Sequence, residues 1–390
     1  MSAPALMLRR ARVLEVLDDP PAGAQRLRIA LDGEPGPPAD REAVAHTALV
    51  GFSQVDDELI VNVQAVALAL GSGGQDVVHA NLTRGLGGEG TPGAHVMKLN
   101  YSSLQHAVRT VEGPSRHAVA DRPAAVLALH GQLAPVAWAF AQAHPGGRLG
   151  YVQGWGGALP GTHSSVVQDL RKQGLLAGHL PAGGAFGGEE EAITMIGALD
   201  HGLGELGWDA AVCGPGPGIV GSSSALGHGG LAALDAAHVA LALGCPTLLV
   251  ARMSSGDARP RHRGMSHHTL TVLDLLLAPV TVALPQGVRS PSGRELGAGL
   301  RAAFGEQPAG RAALQFDLRD ARPARVARHD WRRAEVDLPG YAASGLPADT
   351  MGRPLAADPL FFAAALAGGS GLAELAAPAD DPTDPELQEP

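Results

Sequence analysis

Residues 252–269 read RMSSGDARPRHRGMSHHT and set Arg252, Arg259, Arg261 and Arg263 among His262, His267 and His268, with Asp257 between them. In a chain of net charge −10 this is a local reversal of sign. Guanidinium forks match the paired oxygens of carboxylates and phosphates, so the segment predicts a binding loop for a small anionic ligand. An imidazole that titrates near neutrality can give or take a proton at working pH. His267 and His268 are therefore candidate acid–base groups. The rival is a metal site built from Asp257, His262, His267 and His268. Dense arginine disfavours a cation, and adjacent histidines on a regular element diverge, so no metal ligands are assigned and no cofactor is indicated. The bland alternative is a solvated basic loop. Ser266 has a structural role in every case, as the cap of a helix beginning near His267.

A second stretch, 214–230 (GPGPGIVGSSSALGHGG), joins a strand candidate to a helix candidate. Glycines let backbone N–H groups turn toward a ligand, and the following helix adds a positive N-terminus. Gly216, Gly218 and Gly221, with the hydroxyls of Ser222, Ser223 and Ser224, form a candidate anion cradle. The plain alternative is a connector in a chain that has 53 glycines. No Gly-Lys-Ser/Thr follows, so this is not a Walker loop, and the dinucleotide fingerprint is not met. At 183–191 (GGAFGGEEE), Glu189 and Glu190 sit beside a glycine turn, where a carboxylate can serve as general base. Their structural alternative is favourable charge at the start of a helix over 189–206. His130 ends a strand candidate and is either a site group or a satisfied polar cap. No Gly-x-Ser-x-Gly elbow occurs, which disfavours a triad hydrolase.

Hydrophobic residues make up 45% of the 390 and charged residues 17%, enough apolar material for a sizeable core. The acidic balance argues against a general nucleic-acid binder. Lys98 and Lys172 are the only lysines, so Schiff-base chemistry has two places to sit. Cys213 and Cys245 lie in apolar surroundings and read as inert core thiols, with no disulfide framework or structural zinc site. The longest apolar stretch, 231–251, contains Asp235, His238, Gly244 and Pro246 and reads as a helix and a strand rather than a membrane span. No signal-like apolar run opens the sequence. A cytoplasmic protein without membrane or nucleic-acid partners is expected, and a homodimer is the commonest assembly for one.

Those residues must be positioned by two kinds of structure. Residues 1–100 hold short strand candidates broken by turns, which predicts a β-rich, barrel-like domain. A linker helix is expected over 101–121. From 122 to 330, strand–loop–helix units repeat, with strands near 124–129, 148–152, 209–213, 247–251 and 280–284. This predicts a parallel-sheet, three-layer α/β domain, in which ligands belong at the carboxyl ends of the strands. Residues 331–375 read as a C-terminal extension, and 376–390 as a disordered acidic tail.

Several segments together resemble one bacterial family, domain-of-unknown-function family 3866. They are ELIVNVQAVALALGSGG with Asn81, NYSSLQHAV, LHGQLAPVA, GYVQGWGGALP, GGAFGGEEEAI, CGPGPGIVGSSSALGHGG, RHRGMSHHT and TMGRPLAADPLFF, in order across about residues 8–365. In that family HSQ is usual where this chain has His130-Gly131-Gln132. The resemblance implies one coherent full-length unit and no particular reaction.

Three functional readings follow. The first is an enzyme acting on a small anionic, phosphorylated or nucleotide-like molecule. In it the two loops bind charge, and Glu189 or Glu190 with His267 or His268 moves protons. The second is a non-catalytic sensor or scaffold that uses the same loops without a general base. The third is a metal-dependent hydrolase.

Overall fold

The structure, a computed structural model, describes residues 5–17, 23–33, 41–69, 74–222, 224–286 and 322–377. Five short strands come first: β1 (Leu8–Val16), β2 (Gln25–Leu31), β3 (Arg41–Ala45), β4 (Glu58–Asn62) and β5 (Gln75–Asn81). Successive side chains on a strand face opposite ways. Alternation in these strands sends Val13, Leu27, Ile29, Leu59, Val61 and Val78 into one shared interior. The strands close into a barrel in the order β1-β2-β3-β5-β4, antiparallel except where β3 meets β5.

The expected linker helix at 101–121 is absent. Turns and a short hairpin take its place, in which β6 (Val96–Lys98) pairs with β7 (His106–Val108). Leu99 and Tyr101 adopt left-handed backbone conformations, which no α-helix contains. Lys98 anchors the hairpin: its buried ammonium pairs with Glu191 Oε2 at 2.6 Å and donates to the carbonyls of Pro181 and Ala185.

The larger domain is built on β8 (Ala124–Val126), β9 (Leu149–Gly154), β10 (Gly178–Pro181), β11 (Ala210–Pro215) and β12 (Thr247–Leu249). A two-stranded ribbon follows, β13 (Met253–Ser254) with β14 (Gly264–Met265), and then β15 (Thr281–Pro285) and β16 (Asp330–Ala334). Among the described residues the main sheet has the order β10-β9-β11-β8-β12-β15-β16, with every pairing parallel. Every residue of β8 to β12 and of β15 is buried, because helices cover both faces. Leu133–Ala143, Ser165–Lys172 and Pro359–Ala376 pack Val136, Phe140, Leu170, Phe362 and Leu366 on one face. Met195–Gly204, Ala232–Ala242 and His267–Leu275 pack Leu199, Ala236, Leu270 and Leu273 on the other.

The expected three-layer α/β architecture is therefore present, but its boundary differs. β16 pairs with β15, and Pro359–Ala376 lies in the core, so 331–375 is part of this domain rather than an extension. That last helix is long and apolar enough to cross a membrane, yet 72% of it is buried against the protein. The expected acidic tail lies outside the described residues beyond 377. Glycines in the sheet make room for Trp208, which is fully buried. A Cβ on Gly150 would fall 1.8 Å from its ring, and one on Gly178 2.8 Å.

Candidate functional site

Two connections set the site. The chain leaves β11 through residues 216–228 and crosses β8 by way of Ala232–Ala242 to reach β12. The segment after β12 then folds back as the β13–β14 ribbon before the helix His267–Leu275. β11 and β12 flank β8, so both loops overhang the same carboxyl end of the sheet. His228 comes from the first loop and His262, His267 and His268 from the second.

The four rings are packed together. His228 and His268 stack at 3.8 Å between centroids with planes 5° apart. His228 to His267 is 5.1 Å, His267 to His268 4.5 Å, and His262 lies 5.0 and 5.1 Å from His267 and His268. The expected divergence of His267 and His268 does not occur. They occupy the first two positions of their helix. Side chains tilt toward a helix N-terminus, so here both overhang the helix end and meet His228. Ser266 caps this helix as expected, accepting from the His268 N–H, and its hydroxyl is 2.8 Å from His262 Nδ1.

Among the described residues, no hydrogen bond of standard geometry reaches the buried ring nitrogens of His228 or Nε2 of His267, although the Ala225 backbone is near enough to His228 to oppose the lowering of its pKa. Burial lowers the pKa of all four imidazoles, to about 3 for His262 and about 4 for His267. For His262 and His268 the next cause is the Arg252 charge; for His267 it is His228, then Arg261. The cluster is neutral at neutral pH.

Arg252 is buried and donates from Nη1 to His268 Nδ1 at 2.8 Å. Burial, then the charge of Arg259, holds its pKa down to about 10. Asp257 lies beneath the loop. It accepts three hydrogen bonds from Arg259, through the backbone N–H, Nε and Nη2, and faces Arg252 at 3.9 Å and Arg353 at 3.6 Å. Burial alone raises the Asp257 pKa, but the Arg259 hydrogen bonds and charge outweigh it and hold the carboxyl well below the ordinary range. Arg263 donates to the Asp257 carbonyl at 2.8 Å. Arg261 is exposed and, among the described residues, forms no hydrogen bond or ion pair. Of the predicted arginines, Arg259 and Arg263 thus brace the loop, and Arg261 has no such role among the described residues.

Sequence reasoning assigned no role to His228, Arg353, Asp358 or Met351. Asp358 is fully buried and accepts from Ser254 Oγ, Ser255 N, Gly256 N and Arg353 Nη2 at 2.6–3.1 Å. Met351 approaches both Arg252 and Arg259 with its sulfur, at 3.6 and 3.7 Å. The signals were present in GHGG and TMGRP, a histidine at a helix entry and an arginine in a tight turn.

The glycine loop is bonded to its neighbour and to itself. A Cβ on Gly216 would lie 2.1 Å from the Ala158 carbonyl oxygen, and Ala158 N–H donates to Pro217 O at 2.6 Å. These glycines let the loops after β9 and β11 meet backbone to backbone. Ser222 Oγ donates to Gly227 O, and Ser224 Oγ accepts from Gly227 N–H, so the hydroxyls close the loop on itself. Gly218 has φ +75° with open space around it, and Gly221 is also open. Ser223 lies outside the described residues.

Glu189 and Glu190 are not brought to this cluster. They follow β10 at the sheet edge, four strand positions from β12, or about 19 Å at the usual spacing. Glu189 accepts from Arg171 Nε at 2.6 Å and from His179 N–H at 2.7 Å, and Glu190 meets His201 at 3.2 Å. The helix there begins only at Met195, capped by Thr194. His130 forms a separate buried network with Ser164 Oγ at 2.6 Å, Pro215 O at 3.0 Å and the Tyr151 hydroxyl at 3.3 Å. Ser164 also caps Ser165–Lys172, so this contact has a structural explanation. Gln132 ties the segment after β8 to the segment after β12 by donating to Ala251 O and accepting from Leu129 N–H.

The sequence profile of a family described as a protein of unknown function, DUF3866, matches residues 42–369. The chain belongs to the DUF3866 family. The match covers the barrel from β3 onward, the whole site and all but the last turns of the final helix. No curated protein and no solved structure matches the chain.

Proposed function

We propose that this DUF3866 protein is a cytoplasmic enzyme that performs acid–base chemistry on a small anionic molecule, of which a phosphorylated metabolite is the simplest kind. One observation carries the reading. Neutral imidazoles and a guanidinium that have no hydrogen-bond partner among the described residues share the carboxyl end of a parallel sheet, where such folds bind ligands. In this reading Arg261 takes the anionic group and Arg252 supports it from beneath. His267 accepts the proton through Nε2, which has no protein partner. Two unpaired cysteines suit a reducing compartment.

The test is a thermal-shift titration with phosphorylated and carboxylated metabolites, followed by turnover assays on those that bind. Arg261→Ala with Arg263→Ala is expected to weaken anion binding by roughly 10- to 150-fold, the equivalent of about 1.5–3 kcal/mol. His267→Ala is expected to abolish turnover while binding survives. Unchanged affinity in the arginine double variant would sink the anion assignment. A ligand that binds without any turnover would make the protein a sensor.

A further inference from the structure

We propose that His228, His267 and His268 together bind one divalent transition-metal ion of the zinc class. The proposal rests on the anion site of the reading above, and with the ion bound the free nitrogen of His267 would ligate it instead of accepting the proton. One nitrogen from each ring lies within 4.8 Å of the others. A tetrahedral ion with bonds of ~2.1 Å needs nitrogens about 3.4 Å apart, which ring rotation can supply. Two of the three histidines hold buried nitrogens without a hydrogen bond of standard geometry among the described residues, an arrangement that costs free energy until something coordinates them. The donors are all imidazole, without a carboxylate among them, which selects zinc, cobalt, nickel or copper over magnesium or calcium. Three protein ligands leave a fourth position open, the pattern of catalytic rather than structural sites.

The cost of ligation is local. The stacked rings of His228 and His268 keep their in-plane lone pairs in nearly parallel planes, so at least one must turn to converge on an ion. Nδ1 of His268 accepts from Arg252, and that hydrogen bond must break. Arg252 then has the Asp257 carboxylate, 3.9 Å away, to turn toward. Metal binding would thus loosen Arg252 from the histidines and leave its guanidinium free for an anion held at the open position.

The experiment titrates the metal-stripped, tag-free full chain with cobalt(II) and then zinc(II), with no substrate or added anion. One equivalent of cobalt with the visible band of a tetrahedral site, displaced by zinc, is expected. His228→Ala and His267→Ala should each weaken binding by more than the ~10–100-fold that loss of an outer-shell partner costs. The exposed His95→Ala should bind as wild type. Should either variant fail to fold, zinc-edge X-ray absorption on the wild-type chain must find a three-imidazole shell. Binding below about a tenth of an equivalent at saturating metal, undiminished binding in both variants, or sulfur in the shell would overturn the proposal. Anion binding is measured separately on the stripped protein. An anion-induced shift without metal uptake removes the metal alone, and metal uptake without an anion-induced shift removes the anion reading alone.

Discussion

Asp358 is the residue on which the shape of the arginine loop depends. Its carboxylate is fully buried and receives the Ser254 hydroxyl, the N–H groups of Ser255 and Gly256, and the Arg353 guanidinium. These donors define the turn that lifts residues 255–263 over the sheet end. In Asp358→Ala the three loop donors lose their acceptor, and among the described residues Arg353 keeps the more distant Asp257 at 3.6 Å. Breaking a buried pair by removing one partner costs about 3–5 kcal/mol. For a domain of this size that lowers Tm by roughly 6–20 °C. The assay is urea denaturation followed by circular dichroism, with Asp330→Ala as control. Asp330 is 54% exposed and among the described residues pairs with Arg332 alone, so its loss is expected to cost below about 1 kcal/mol. Equal midpoints for the two variants would refute the claim that Asp358 organises the loop.

Other perturbations test the framework around the site. Gly150→Ala places a methyl 1.8 Å from the buried Trp208 ring. It should destabilise by about 3 kcal/mol, the upper part of the usual overpacking range, and a loss under about 1 kcal/mol by urea titration would contradict that packing. Lys98→Met leaves Glu191 without its buried partner and should cost about 3–5 kcal/mol, much of it recovered in the double variant with Glu191→Gln. A double variant no more stable than Lys98→Met would count against the pair. Burial holds the folded-state pKa of His46 and His130 at about 4 and of His179 at about 3, against 6.5 unperturbed. The unfolded chain therefore binds more protons below about pH 6.5, so stability is full above that value and falls as pH drops toward 4. Urea midpoints at pH 7.5, 6 and 4.5 should decline in that order, and a flat series would show these histidines to be protonated in the fold.

How much of this was legible in the sequence depends on how local each cause is. The sheet strands were readable because a parallel sheet covered on both faces demands short, mostly apolar runs such as 247–251, where Thr247 alone is polar. The barrel was readable from short strands broken by turns. The arginine and histidine loop was readable because its members are neighbours in the chain. His228 was not, because it joins them only through the crossover that brings the β11 loop and the β12 loop over one strand. Glu189 and Glu190 were misleading for the same reason. A carboxylate beside a glycine turn looks like a general base until Arg171 and His201, which the fold alone brings near, take up its charge. The rule that neighbouring histidines diverge is sound within a helix and fails at its first turn, where both side chains lean past the end. Chemistry at helix entrances is therefore under-read by periodicity. In this chain the entrances at His228 and His267 are where three of the four clustered histidines meet.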